Sequence, residues 1–229
     1  MQIKILALCG SSRRDSLNQK LLDVAALGAV DAGAQVSLIR WPDFPLPIYD
    51  GDWEAEHGLP ECVRALKALL AEHHALLVAT PEYNGGYPAL LKNALDWASR
   101  PSESDPTGLE VFAGKLGAVV SASPGVLGGM RAQIALQISL NKLGLLVIPN
   151  SFALGLAHQA FDEQMRLKDA NADQNVRGVG AAPARTAIAL APTPKRSELG
   201  DRGGADAGAF SGKPTLPAHS IIRHTLWIR

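Results

Sequence analysis

Two short stretches of the chain gather groups suited to a charged, flat ligand. The first is Cys9-Gly10-Ser11-Ser12-Arg13-Arg14-Asp15-Ser16-Leu17-Asn18. Hydroxyls at Ser11, Ser12 and Ser16, the Asn18 amide and the guanidinium groups match the hydrogen-bonding needs of a phosphate. The second is Thr80-Pro81-Glu82-Tyr83-Asn84-Gly85-Gly86-Tyr87-Pro88. Its Pro, Asn-Gly and Gly-Gly steps dictate an irregular backbone that can lie against a planar ring, and Tyr83 and Tyr87 add aromatic surface. Each stretch also has a plainer reading. Ser16 can be a helix cap with the arginines in solvent and Gly10 serving a tight turn, and the second stretch can be an ordinary turn.

The elements around these stretches decide where they sit. Ile3–Cys9 reads as a buried strand, Ser16–Gly33 as a helix with a Leu17, Leu21, Val24, Leu27 stripe, and Gln35–Arg40 as a second strand. Trp41–Gly58, with three prolines, reads as a long surface loop. Leu59–Glu72 is a helix with Pro60 in its first turn, Ala75–Thr80 a strand, Pro88–Ser99 a helix and Pro101–Ala113 a polar loop. Lys115–Ser121 is a strand, Leu127–Leu143 a helix, and Leu145–Ile148 a fifth strand closed by Pro149. Strands alternating with helices pair in parallel through right-handed crossovers, and continuous apolar strands belong to a sheet covered on both faces. The expectation is an α/β fold: a flavodoxin-like, doubly wound, five-stranded parallel sheet with helices on both faces. Ligands of such sheets sit beyond the carboxyl ends of the strands, so both stretches fall on the binding rim.

Several other chemistries find little support in the residues. No GxxxxGK[ST] or post-strand GxGxxG occurs. A low-molecular-weight phosphatase loop needs an Arg six residues after its Cys; from Cys9 that position is Asp15, which would repel a phosphate. The two cysteines, Cys9 and Cys62, form no CxxC, and the six histidines lack metal-ligand spacing, so no metal site is expected. Lys+Arg and Asp+Glu are both 22, which argues against a sequence-independent nucleic-acid binder. No apolar run reaches the ~18 residues of a spanning helix, no secretory pattern is visible, and a cytoplasmic protein is expected.

GSSRRDSLN combined with TPEYNGGYPALLKNALDWASR resembles the NAD(P)H-dependent FMN reductase family, which includes quinone, azo-dye and chromate reductases. Asp43–Asp52 (DFPLPIYDGD) resembles the family's loop after strand two, and Ser121–Gly129 its third loop. The resemblance implies FMN as cofactor and NADPH or NADH as donor. Two electrons would pass by hydride transfer to a small-molecule acceptor such as a quinone, azo compound, chromate or flavin. Carried over by position, Ser11, Ser12, Arg13, Ser16 and Asn18 would hold the phosphate. Pro81, Glu82, Tyr83, Asn84 and Gly85, with Ser121 and Ser123, would line the ring, and Pro45, Pro47 and Tyr49 are candidates for walls of the acceptor space. No catalytic side chain is implied, because the cofactor carries the chemistry. The alternatives are a flavodoxin-like electron carrier, which is usually acidic where this chain is neutral, and the phosphatase.

The chain divides into residues 1–190, the reductase domain, and 191–229, a Pro/Gly/Ala-rich tail whose composition predicts disorder. Pro183, Gly178 and Gly180 weaken the helix expected within Phe161–Leu190. A homodimer or homotetramer is implied by the family, with a modest hint from Leu90, Leu91, Leu95 and Trp97, which cover more than one helix face; the plainer reading is burial under the polar loop Pro101–Ala113.

Overall fold

The computed structural model describes residues 2–190. The expected tail at 191–229 lies outside the described residues. The strands are β1 (Lys4–Cys9), β2 (Gln35–Leu38), β3 (Ala75–Ala79), β4 (Leu116–Ala122) and β5 (Leu146–Leu154). All pair in parallel, in the order β2-β1-β3-β4-β5. The helices are α1 (Leu17–Asp31), α2 (Gly51–His57), α3 (Glu61–Glu72), α4 (Ala89–Ala98), α5 (Met130–Lys142) and α6 (Ala170–Leu190).

Alternate residues of each strand face opposite sides, which produces two cores. Ile5, Ala7, Leu77, Ala79, Ala118 and Val120 pack with α1 and α6. Leu6, Leu8, Leu76, Val78 and Val119 pack with α3, α4 and α5. The doubly wound layout is therefore as expected. Leu27, placed on the buried stripe by its spacing, is exposed instead, because α1 turns Leu21, Ala25 and Gly28 inward between the sheet and α6.

Three local expectations are corrected. Pro149 does not close the fifth strand: β5 continues to Leu154, and Gly117 and Val119 of β4 face Val147 and Ser151. Two extra residues of β5 are absorbed in this irregularity, and β5 is an edge strand, where a missing N–H is tolerated. The surface loop 41–58 contains α2, capped by Asp50, whose carboxylate accepts from the Asp52 and Trp53 amides. The last helix runs unbroken through Pro183. The polar loop 101–113 is anchored by buried Lys67, which donates to Asp105 and to the Ala98 and Arg100 carbonyls, and by Phe112, which enters the core.

Gly180 has a packing role. A Cβ there would overlap the Ala25 carbonyl, and one on Gly28 would overlap the Arg177 backbone, so α1 and α6 touch main chain to main chain. Gly178, on the same helix, has open space around it. Gly180→Ala should therefore destabilise by about 1–3 kcal/mol, the cost of overpacking, while Gly178→Ala should stabilise by up to ~1 kcal/mol through helix propensity. Urea unfolding of the two variants would check this, and equal effects would contradict it.

Candidate functional site

The carboxyl ends of β1, β3 and β4 bring three turns to one rim. Gly10 joins the first two: its N–H donates to the Ala79 carbonyl at 2.7 Å. A Cβ on Gly10 would stand 2.6 Å from Leu91 Cδ1 and 3.0 Å from Pro88 Cγ. The β1 turn and the start of α4 thus approach as closely as a hydrogen atom allows. Trp41 supports this corner from beneath, its indole N–H donating to the Cys9 carbonyl.

In the β1 turn, Ser16 is the N-cap of α1, its hydroxyl accepting from the Gln19 amide at 3.2 Å. Ser11 Oγ accepts from the Arg13 amide at 3.3 Å. The amides of Ser12, Arg14, Asp15 and Ser16 donate to no protein acceptor among the described residues. Ser12, Arg13 and Arg14 are exposed. A run of unpaired N–H groups leading into a helix N-terminus, flanked by hydroxyls and arginines without ion-pair partners among the described residues, is built for an anion.

Asn18 departs from its expected place. Its side chain is buried, and it donates to the Ala122 carbonyl at 2.9 Å and accepts from the Ala122 amide at 2.8 Å. It ties α1 to the end of β4 instead of facing the anion turn. Cys9 is also buried; burial pushes its thiol up from the ordinary value, against hydrogen bonds from the Ser11 backbone and Ser16. That is the reverse of an activated thiolate, in keeping with Asp15 at the place where a phosphatase needs arginine.

The β3 turn is a small hairpin, with Tyr83 and Gly86 exchanging both backbone hydrogen bonds. Asn84 (φ 52°) and Gly85 (φ 80°) supply the two left-handed residues that such a turn requires. Pro81 is buried, and its carbonyl accepts from the Thr80 hydroxyl. Tyr83 and Asn84 are exposed, and nothing lies near a Cβ on Gly85, which leaves open space for a ring.

Glu82 reaches across to the β4 turn. Its carboxylate accepts from Arg131 Nε at 2.6 Å and from the Arg131 amide at 3.2 Å, clamping the β3 turn to the start of α5. Between them opens a recess of ≈ 200 Å³ lined by Glu82, Ser123, Arg131 and the glycine-rich stretch 125–129. Ser123 is half-exposed in this recess, while Ser121 is fully buried with its hydroxyl donating to the Gly128 carbonyl. Ser121, expected at the ring, is therefore spent on the backbone of the turn. Sequence reasoning missed Arg131 and Gln133; a polar Gln133 on the buried side of α5, in line with Leu136 and Leu140, was the available signal.

Pro47 and Tyr49 lie beside α4. Asn93 Nδ2 and Trp97 Nε1 both donate to the Pro47 carbonyl at 2.8 Å, and the Tyr49 amide donates to Asn93 Oδ1. Asn93 and Trp97 are about 6 and 12 Å along α4 from its rim-side start at 1.5 Å per residue. Pro47 and Tyr49 are thus anchored one to two turns along α4 from its rim-side start.

A five-stranded parallel sheet in this order, with its binding turns on one rim, defines a flavodoxin-like α/β protein. Residues 3–159 match the model of the NADPH-dependent FMN reductase family, and the chain belongs to that family of oxidoreductases. It is 37% identical to an NAD(P)H-dependent FMN reductase of Pseudomonas aeruginosa over 176 residues, 76% of this chain and 90% of that protein. A 2-hydroxy-1,4-benzoquinone reductase of a Burkholderia species is 41% identical over 134 residues, 58% of this chain and 67% of that protein. Among solved structures, the flavoenzyme NAD(P)H:(acceptor) oxidoreductase FerB of Paracoccus denitrificans superposes with a TM-score of 0.67 and 32% identity, over 80% of this chain and 96% of that one. No helix among the described residues is long and apolar enough to cross a membrane.

The supporting role of Asn18 is open to test. Asn18→Ala leaves the Ala122 amide and carbonyl unpaired and should destabilise the flavin-free protein by about 1–3 kcal/mol in urea unfolding. A direct phosphate ligand would instead leave flavin-free stability unchanged.

Proposed function

We propose that the chain transfers two electrons, by hydride transfer through FMN, from NADPH or NADH to a small acceptor such as a quinone, an azo compound, chromate or a flavin. One observation carries the reading: an anion-ready turn after β1 is locked, through Gly10, to an open, ring-sized turn after β3. The donor set fits FMN, since the unpaired amides and hydroxyls suit its phosphate, and the open face at Gly85 and the recess beside Glu82 suit its ring. Bound FMN would supply the redox chemistry, taking a hydride from the nicotinamide and passing electrons to the acceptor.

The protein's own part is placement. Ser11, Ser12, Arg13 and the α1 N-terminus, capped by Ser16, hold the phosphate. Pro81–Gly85 and Ser123 border the ring, with Glu82 fixing the distance between the β3 and β4 turns. Asn18 and Ser121 keep the turns in place. No side chain need move a proton. The names of the relatives, which include quinone reductases, favour a quinone as acceptor. Dependence on reduced nicotinamide favours a cytoplasmic setting.

Reconstituted protein should show the visible bands of bound FMN, lose them on adding NADPH without oxygen, and regain them with a benzoquinone. A colourless protein that takes up no FMN would reject the proposal. Arg13→Ala should weaken FMN binding by about 1–3 kcal/mol, the scale of a hydrogen bond to a charged group, read by fluorescence titration.

We also propose a homo-oligomer, a dimer or tetramer, but through a different surface from the one hinted at by α4. Leu91 and Trp97 are buried within the subunit, and Leu90 and Leu95 pack against the same core. An apolar stripe with no cover among the described residues lies on α5, where Met130, Ile134 and Ile138 are 46%, 54% and 66% exposed at helical spacing, continuing Leu127. Light scattering at micromolar concentration should show a dimer or tetramer for the unchanged chain and a monomer for the Ile134→Glu/Ile138→Glu variant; a monomeric unchanged chain would refute this.

A further inference from the structure

Behind the β4 turn runs a chain of hydrogen bonds whose direction is fixed. Gln133, 3% exposed, uses its side-chain amide nitrogen twice, donating to Ser121 Oγ at 2.8 Å and to the Phe152 carbonyl at 2.7 Å. Ser121 Oγ therefore accepts from Gln133, and its single proton goes to the Gly128 carbonyl at 2.6 Å. No rotation of the hydroxyl serves both neighbours better, and the network is satisfied in one sense only.

The end of this chain controls a peptide unit. Gly128 and Gly129 are both left-handed, at φ 62° and 90°, and a Cβ on Gly129 would stand 2.9 Å from Ser121 Cβ. In a trans peptide the C=O and the following N–H point in opposite directions. With the Gly128 carbonyl held inward on Ser121, the Gly129 N–H points away from it, towards the recess that Gly128 and Gly129 line. The Gly129 N–H has no protein acceptor among the described residues, although the neighbouring amides of Gly128 and Met130 are bonded to Gly125 and Leu127.

We propose that Gln133 is a positioning residue, which through Ser121 orients the Gly128–Gly129 peptide so that its N–H is a fixed donor to the flavin ring. This rests on the flavin reading of the recess. A preorganised backbone donor stabilises negative charge on the group it faces without reorganising. Gln133 thereby influences both flavin affinity and the ease of reducing the flavin, without touching it.

The test uses Gln133→Met, which keeps volume and loses both donors, Ser121→Ala, which removes the middle link, and the double variant. Each single variant should raise the FMN dissociation constant about tenfold and lower the flavin midpoint potential; the double should be no worse than either single, because both break one chain. Thermal unfolding confirms that the variants are folded, and Ser121→Ala carries the test if Gln133→Met is not. A lower melting temperature with unchanged affinity and potential, or multiplying effects in the double, would overturn the proposal. An unchanged chain that binds no FMN would reject the flavin reading itself. Amide exchange in the flavin-free chain then decides whether the network orders the turn: faster exchange at 128–130 in both variants is expected, and unaltered exchange would overturn it.

Discussion

The site depends on a close approach at Gly10. The β1 turn and the start of α4 can share the rim because residue 10 has no side chain, and side chains of α4 fill the space beside it. Leu91 is buried in the core beneath, and Pro88 caps α4. A larger residue would have to displace the Leu91 and Pro88 side chains or draw the β1 turn away from the Ala79 carbonyl to which Gly10 donates. Since the turn after β1 offers its amides to an anion and the turn after β3 offers an open face, their fixed spacing is what turns two ordinary loops into one cleft.

The polar side chains near this cleft divide by burial. Those that remain exposed, Ser12, Arg13 and Tyr83, are free to meet a ligand. Those that are buried are spent on the protein: Asn18 on the Ala122 peptide, Ser121 on Gly128 and Gln133, and Ser16 on the end of α1. This follows from the cost of leaving a buried polar group unpaired. The ligand-facing donors that remain are largely backbone amides, which carry no residue-type signal. A position-by-position likeness to a family therefore identifies the right turns while blurring which members touch the ligand and which hold the turn in shape.

The same distinction explains what was legible in the sequence. The five apolar runs, the helical stripes and the turn chemistry of Asn84-Gly85 were readable, because each is a local property that the tertiary structure reinforces. The sheet order was inferred from alternation and is the one found. Misreadings came where a residue's cost is offset elsewhere. Pro149 reads as a strand end, but an edge strand with a local irregularity accommodates it. Gly180 reads as a helix weakness, but the helix is secured by main-chain contact with α1 that only glycine permits. Leu90, Leu91, Leu95 and Trp97 read as a surplus of apolar faces, but the loop carrying Val111 and Phe112 and the segment at Pro47 cover them. None of these compensations is local in sequence.

The clamp between Glu82 and Arg131 shows how the recess can be both open and well defined. Arg131 is largely exposed while the Glu82 side chain is nearly buried, so the pair is anchored at one end. Exposed ion pairs add little stability on their own, yet Glu82 also accepts from the Arg131 backbone at the start of α5, where a helix dipole favours a negative charge. The carboxylate thus binds an element terminus and not merely a flexible side chain. With Gly10 setting the spacing between the β1 and β3 turns and Glu82 that between the β3 and β4 turns, the rim is braced on both sides of the β3 turn. A ring lying against that turn would meet walls whose positions are set by buried contacts, which is the condition for the protein to orient a cofactor while leaving the redox chemistry to it.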